Sequence, residues 1–363
     1  MKMSTSTSQA QQNINTTHID VDPDNFDPSI LLPAAQSLRA GGLVIFPTET
    51  VYGLGGDATN EGSAKKIYAA KGRPSDNPLI IHISDPKNAE PYCVTTKLYY
   101  KLAASFMPGP LTVIMQKKDT IPSCVTGGLD SVAVRCPAHP VANELIKLAG
   151  IPIAAPSANL SGRPSPTKAE HAAQDLDGRV DFIIDGGECR YGVESTIVRI
   201  DDDESLTLLR PGAVTCDALR CVAKNVSIAP AVTEMLAADE RPLSPGMKYR
   251  HYAPSKPLKL VRGSEAARLR FFRDAQANEN CLIICYDEQA PLLSDADGKV
   301  ITIGAGYDLE TQMHRIFAAL RESDEIDADV IYANLPDTDG LGLALYNRLI
   351  RAAAHTVIDL DNA

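Results

Sequence analysis

Between residues 241 and 260 the chain reads RPLSPGMKYRHYAPSKPLKL, with four prolines, five Lys or Arg, two Tyr, one His and no acid. Proline fixes φ and removes a backbone donor, so such a stretch cannot lie inside a helix or a central strand. It has to run between folding units. With 363 residues the chain is also too long for one ordinary core. The reading is therefore a tail over 1–25, a first domain over 26–235, a linker over 236–256 and a second domain over 257–363. A plain spacer would be Gly/Ser-rich or of mixed charge. Aromatics interleaved with cations instead suggest a segment lying over an anionic ligand.

On either side of this break the sequence alternates helix-like and strand-like stretches. In the first domain, apolar runs at 43–46, 79–83, 111–115, 132–134, 151–155 and 182–184 read as strands. Helical patterns fall at 30–40, 63–72, 140–149 and 168–176, the last with a capping box formed by Thr167 and Glu170. STIVRI and SLTLLR, separated by DDDE, read as a β-hairpin. The second domain alternates strands at 258–261, 282–286, 300–303, 329–332 and 356–360 with helices at 264–277, 308–321 and 342–354. That rhythm predicts a small, doubly wound parallel sheet. Gly304-Ala305-Gly306 lacks the third glycine of a dinucleotide fingerprint and reads as a turn.

Charge narrows the function classes. The net charge is −11, and residues 257–363 carry 10 Lys/Arg against 18 Asp/Glu. Duplex nucleic-acid binding rests on a broad basic surface, and neither domain supplies one by count. The first twenty residues contain no apolar segment after Lys2, and no apolar run approaches ~18 residues. A cytoplasmic location with reduced thiols is expected, and none of the eight cysteines forms a C-x-x-C pair. G-x-S-x-G, H-E-x-x-H, Walker and kinase signatures are all missing.

Chemistry-bearing residues gather at strand ends. PTETVYGLGGDAT (47–59) reads as a loop packed with hydroxyls and glycines after a buried strand. KGRPSDNPLIIHI (71–83) places Lys71 and Arg73 at a helix end and His82 inside an apolar strand. The cations there are also ordinary partners of a helix C-terminus, and a lone strand histidine is more often a satisfied core residue. Arg135 closes the strand SVAVR with a guanidinium fork suited to carboxylate or phosphate. A loop rich in Ser, Asn and Pro (156–167) follows the 151–155 strand, and Ser195 and Arg210 bracket the hairpin. Cations, hydroxyls and one strand histidine, with almost no carboxylate pairs, fit anion binding and transfer at phosphorus.

Taken together, PTETVYGLGGDAT, KGRPSDNPL, PGPLTV, VRCP, APSANLSGRPSPT and GVESTIV closely resemble the YrdC-like threonylcarbamoyl-AMP synthases. SPGMKYRHYAP and GLGLALYNRLIRAA resemble the long, two-domain form of that family. The resemblance implies a twisted mixed α/β sheet with a concave basic face, then a smaller Rossmann-like parallel-sheet domain. It implies ATP-dependent synthesis of L-threonylcarbamoyl-adenylate from L-threonine and bicarbonate, with pyrophosphate released. Mg²⁺ would be held mainly by the ATP phosphates, with no protein side chain as ligand. The product would feed a separate tRNA threonylcarbamoyl transferase, with weak or no direct tRNA binding and no membrane partner. Threonine positions map to Thr50, His82, Arg135, Ala155 and Ser195. Nucleotide positions map to Lys71, Arg73, Asn77, Ser131, Ser157, Asn159, Ser165, Arg210, Tyr249 and Tyr252, with Lys71 and Arg73 stabilising charge at the reacting phosphate. The rival reading is an RNA-binding module of the same fold without chemistry, which the acidic balance disfavours.

Overall fold

The computed structural model describes residues 14–234, 244, 251–294 and 298–361. In the first domain the strands are β1 (Thr17–Asp20), β2 (Val44–Phe46), β3 (Gly53–Asp57), β4 (Ile80–His82), β5 (Leu111–Gln116) and β6 (Ser131–Arg135). They continue with β7 (Ile153–Ala154), β8 (Phe182–Asp185), β9 (Thr196–Ile200), β10 (Ser205–Arg210) and β11 (Asn225–Ile228). All belong to one mixed sheet of order 1-8-2-3-7-4-6-5-9-10-11. Its helices are α1 (Leu32–Arg39), α2 (Glu61–Lys71), α3 (Lys97–Phe106), α4 (Pro140–Ala149), α5 (Ala169–Leu176) and α6 (Cys216–Arg220).

Strand alternation divides the sheet into two faces. Ile81, Val113, Val134 and Val198 point into the main core, where α2, α3 and α5 cover them with Ile67, Leu102 and Ala172. On the other face α1 and α4 cover only the β2, β7 and β8 end, through contacts among Leu38, Leu145, Phe46 and Ile153. Burying each of these aliphatic side chains contributes about 1.5–3 kcal/mol. Beyond them, under β4, β6, β5, β9 and β10, the second face carries just a small patch of Ile80, Ile114, Ala133, Ile197 and Leu209. The first domain's own helices leave that part of the sheet open.

Three local readings need correction. Residues 17–20, taken as tail, form β1, which pairs in parallel with β8 through backbone hydrogen bonds that no apolar pattern announces. The GLGGD segment, taken as loop, is strand β3, antiparallel to both β2 and β7. Glycine is required there by close approach: a Cβ on Gly55 would lie 2.7 Å from Ile153 Cγ2 and 2.8 Å from Phe46 Cε1. The capping box does not form. Lys168, not Thr167, is the N-cap of α5, and the Thr167 amide donates instead to His171 Nδ1.

The second domain contains β12 (Leu258–Arg262), β13 (Cys281–Cys285), β14 (Val300–Thr302), β15 (Val330–Asn334) and β16 (Val357–Asp359), with α7 (Glu265–Asn278), α8 (Leu309–Glu325) and α9 (Gly342–Ala352). The sheet is wholly parallel, in the order 14-13-15-12-16. Helix α7 packs on one face, through Phe272 against Val261 and Ile283. Helices α8 and α9 pack on the other, through Phe317 and Leu345 against Leu260 and Ile284. The expected doubly wound sheet is therefore present, with β15 inserted between β12 and β13. Most of the 236–256 linker, with Lys248, Tyr249 and Arg250, lies outside the described residues.

Candidate active site

The open face of the first sheet carries a row of polar side chains. His82 on β4 stands opposite Arg135 on β6, and Arg135 opposite Thr112 on β5. Because alternation is strict, the three share the face of Ile80 and Ala133 rather than that of the core. Arg210, at the end of β10, donates Nε to the Ser195 carbonyl at 3.1 Å and Nη2 to Ser195 Oγ at 3.2 Å. Ser195 Oγ in turn lies 2.8 Å from Thr112 Oγ1.

Above this row is a cavity with about 60 Å³ of free volume, room for a few waters. Lys71, Arg73, His82, Arg135, Arg163, Ser195 and Arg210 line it, with the Ala155–Ser157 and Asn159–Arg163 loop and with His251 and Tyr252. Five of these side chains are cationic types, and Glu194 is the one acidic type lining it among the described residues. Burial pushes the guanidiniums of Arg73 and Arg210 down to about 10, so both remain charged at neutral pH. Desolvation, with Arg135 nearby, pushes His82 down to about 3. Its Nδ1 sits 3.2 Å from the Ile80 carbonyl and 3.3 Å from that of Ile153. Two carbonyl acceptors require the Nδ1–H tautomer, which leaves the lone pair on Nε2. His82 is thus a neutral acceptor and not a cation.

Each cation has a distinct anchor. Arg135 donates Nη2 to Glu49 Oε1 at 2.7 Å, both side chains being buried, and Glu49 also accepts from the Ala138 amide. Arg135 Nε keeps no partner among the described residues. Lys71 Nζ donates to the carbonyls of Ser157 and Asn159 and reaches Asn159 Oδ1. Its three donor directions are spent on shaping that loop. Burial first, then Arg73, holds the Lys71 ammonium well below its ordinary pKa. Arg73 donates Nε to the Asn77 carbonyl and Nη2 to that of Pro78.

The rim is fastened from the second domain. Arg348 on α9, fully buried, donates Nε to Glu194 Oε2 at 2.7 Å and Nη2 to the Glu194 carbonyl, while Ser165 Oγ donates to Glu194 Oε1. Burial would raise the Glu194 carboxyl, but Arg348, Arg210 and the Ser165 hydroxyl together hold it below its usual range. Arg321 on α8 donates Nη2 to Asp175 at 2.8 Å and to the Pro164 carbonyl. Asp175 also takes Arg163 and the Leu160 amide. Tyr252, at φ +64°, has the Phe317 ring 5.2 Å from its own and the Arg348 guanidinium over it at 5.6 Å.

Residues 36–212 match the Sua5/YciO/YrdC family, described as "Telomere recombination", and residues 214–354 match "Threonylcarbamoyl-AMP synthase, C-terminal domain". The chain is 46% identical to the threonylcarbamoyl-AMP synthase of Bacillus subtilis over 92% of its own length and 95% of the relative. It belongs to the threonylcarbamoyl-AMP synthase family. The family protein of Pyrococcus abyssi is 43% identical over 90% of this chain and 94% of its own. The crystal structure of P. abyssi Sua5 complexed with L-threonine superposes with a TM-score of 0.87, at 41% identity, covering 95% of this chain and 99% of that one.

The structure divides the positions that likeness to the threonylcarbamoyl-AMP synthases assigns. Lys71, Arg73, His82, Arg135, Ala155, Ser157, Asn159, Ser195, Arg210 and Tyr252 all line the cavity. Thr50 does not. Its buried hydroxyl is 2.8 Å from that of Thr48, and Thr48 is the threonine at the cavity wall. Ser165 is turned to Glu194, Asn77 contributes its carbonyl to Arg73, and Ser131 opens β6 opposite Gln116, away from the cavity. Tyr249 lies outside the described residues. Glu49, Glu194, Arg321 and Arg348 were not legible as site residues, because their partners are distant in sequence.

Proposed function

We propose that this chain condenses L-threonine, bicarbonate and ATP into L-threonylcarbamoyl-adenylate and pyrophosphate, the first step of threonylcarbamoyladenosine formation in tRNA. One observation carries the reading: cationic side chains converge on a small cavity whose single lining carboxylate among the described residues is already neutralised by Arg348. Such a cavity attracts anions and stabilises negative charge that develops within it.

Within it, Arg135 offers its free Nε to the threonine carboxylate, with Glu49 holding the fork in place. The neutral His82 and the Ser195 hydroxyl, the latter backed by Thr112, suit the amine and hydroxyl. The threonine amine displaces water from the bicarbonate carbon to give the carbamate; a carbamate oxygen then attacks the α-phosphorus, the pyrophosphate leaves, and charge develops on the phosphoryl oxygens beside Arg73 and Arg210. Lys71 supports this from behind, by fixing the carbonyls of the 157–159 loop. With about 60 Å³ of free volume the cavity is partly open but small for ATP, and His251 and Tyr252 stand in its wall. Withdrawal of these two side chains would admit substrate, and their return would exclude water from a labile adenylate.

Mg²⁺ belongs to the same reading. Among the described residues no three His, Cys, Asp or Glu side chains cluster to hold a metal, and Glu49 and Glu194 are engaged by arginine. The ion would arrive on the triphosphate and offset phosphate charge there. The adenylate would pass to a separate tRNA transferase, with little direct tRNA affinity. Among the described residues no helix is long and apolar enough to cross a membrane, and a cytoplasmic site of action completes the proposal.

The deciding assay is adenylate formation and pyrophosphate release with threonine, serine and valine in bicarbonate. Polar groups left unpaired by valine cost about 1–3 kcal/mol, so threonine should lead by about ten- to a hundredfold. Equal turnover with valine overturns the assignment.

A further inference from the structure

The second domain holds a cleft of about 720 Å³, far larger than the cavity above the first sheet, that the proposed reaction leaves unused. Its position follows from topology. β12 and β15 are parallel neighbours, with Leu260 opposite Ala333. From β12 the chain runs into α7 on the face of Val261 and Ile283. From β15 it runs into α9 on the opposite face, beside Leu260 and Ala333. Two adjacent strands thus send their loops apart, and the gap opens at their carboxyl ends. In open α/β sheets this is where ligands bind. The cleft draws a wall residue from beyond every strand of the sheet, including Gly263, Tyr286, Gly306, Asp337 and Asp361.

The walls specify a chemistry. Glu265, Glu288, Asp337 and Asp361 face Arg262 and Arg268, an excess of acceptors over cations. Glu288 is committed to the Gly306 amide, and Arg262 leans toward Asp359 at 4.0 Å. Arg268 lies over the Tyr286 ring at 5.9 Å, and its buried Nε has no partner among the described residues. Tyr346 adds a second ring. Next to these wall residues in the chain, buried Asn334 donates to Gln289 and leaves Asn334 Oδ1 and Gln289 Nε2 without partners among the described residues. A matching ligand has a flat ring for the tyrosines and several hydroxyl or amino donors for the carboxylates. It has one acceptor or a single phosphate group for Arg268 and the amides that open α7. Four carboxylates repel a polyphosphate.

We infer that this cleft is a second binding site, for a nucleoside or nucleoside monophosphate, separate from the cavity above the first sheet. The inference stands whether or not the first cavity makes the adenylate.

The test is equilibrium dialysis of the full chain against adenosine, guanosine, cytidine, uridine and their 5′-monophosphates. At least one of these probes should saturate a site that Arg210→Ala, in the first cavity, leaves intact. Arg268→Gln combined with Asp337→Asn should weaken that binding by about tenfold or more. The 2′,3′-dideoxy form of the same probe should lose a similar factor. Adenylate synthesis without added nucleoside should be unchanged in the double variant, which also shows that it is folded. Failure of every probe to saturate, or binding that survives Arg268→Gln/Asp337→Asn, overturns the inference. So does binding that disappears in Arg210→Ala. An unmodified chain that binds the nucleoside but makes no adenylate would instead overturn the reading of the first cavity.

Discussion

The floor of the first-domain cavity is set by strand register, whereas its rim is set by arginines from the other domain. His82 and Arg135 face the cavity because β4 and β6 pair as they do, and each could be placed from local alternation. The loops that carry Glu194 and Pro164 are positioned by Arg348 and Arg321, 154 and 157 residues away along the chain. Floor and rim should therefore fail differently when changed: the floor through substrate handling, the rim through folding and activity together.

The largest effect is expected at the rim. Arg348→Ala leaves the Glu194 carboxylate buried without its main partner, which costs about 3–5 kcal/mol. Urea denaturation should show that loss, and Glu194→Gln in the same chain should restore part of it. A loss below about 1 kcal/mol would mean that the rim does not depend on α9.

Next is the floor. Arg135→Ala should lower kcat/KM for threonine by about a hundredfold, equivalent to ~2.7 kcal/mol, with a much smaller change in KM for ATP. Arg135→Lys should recover little, since the lysine cannot serve Glu49 and a carboxylate at once in fork geometry. An unchanged threonine KM would move Arg135 from the floor's chemistry to its scaffolding.

Lys71 and Arg73 sharpen the boundary, since one acts on the loop and the other faces the cavity. Lys71→Met removes donors to Ser157 and Asn159 and should lower Tm and adenylate formation together. Arg73→Met gives up only two carbonyl contacts and should slow synthesis about tenfold while changing Tm little. Thermal melts run beside the activity assay separate the two, and identical behaviour of both variants would erase the distinction.

The smallest effect at neutral pH concerns the buried histidines. His82 and His251 are pushed down to about 3 and His171 to about 4, burial being the main cause in each. Unfolded, each would titrate near 6.5. Below about pH 6.5 the unfolded chain therefore binds more protons than the folded one, and stability falls as pH drops toward the folded values. Each group contributes at most about 1.4 kcal/mol per pH unit. Stability measured from pH 7 to 4 should fall less steeply in His82→Gln, and an unchanged slope would mean that His82 is protonated in the fold.

What was legible in the sequence follows the same division. Polar residues inside apolar strands, such as His82 in LIIHI and Arg135 in SVAVR, announce themselves because alternation assigns them a face. The β9–β10 hairpin and the second domain's rhythm were legible for the same reason. Strand β3 was hidden because Gly53, Gly55 and Gly56 have no side chains with which to alternate. Strand β1 was hidden because its pairing with β8 uses only backbone groups. Thr48 and Thr50 look equivalent in TET, and only the turn geometry, with Thr48 Oγ1 bonded to the Val51 carbonyl at 2.6 Å, decides which reaches the wall. Glu49 and Glu194 read as ordinary loop acids until folding brings Arg135 and Arg348 to them.

The two carboxylates satisfied from across the domain boundary also bear on how the protein melts. Asp175 and Glu194 sit in the first domain, yet each depends on a guanidinium carried by α8 or α9. If the second sheet unfolded alone, Asp175 would keep Arg163 but lose Arg321, and Glu194 would keep Ser165 but lose Arg348. That partly unfolded species is penalised, and calorimetry should record one shared heat-absorption peak with matching calorimetric and van't Hoff enthalpies instead of two. Arg321→Met paired with Arg348→Met should split that peak, and cutting the chain near residue 256 should yield halves that each melt below the temperature of the whole.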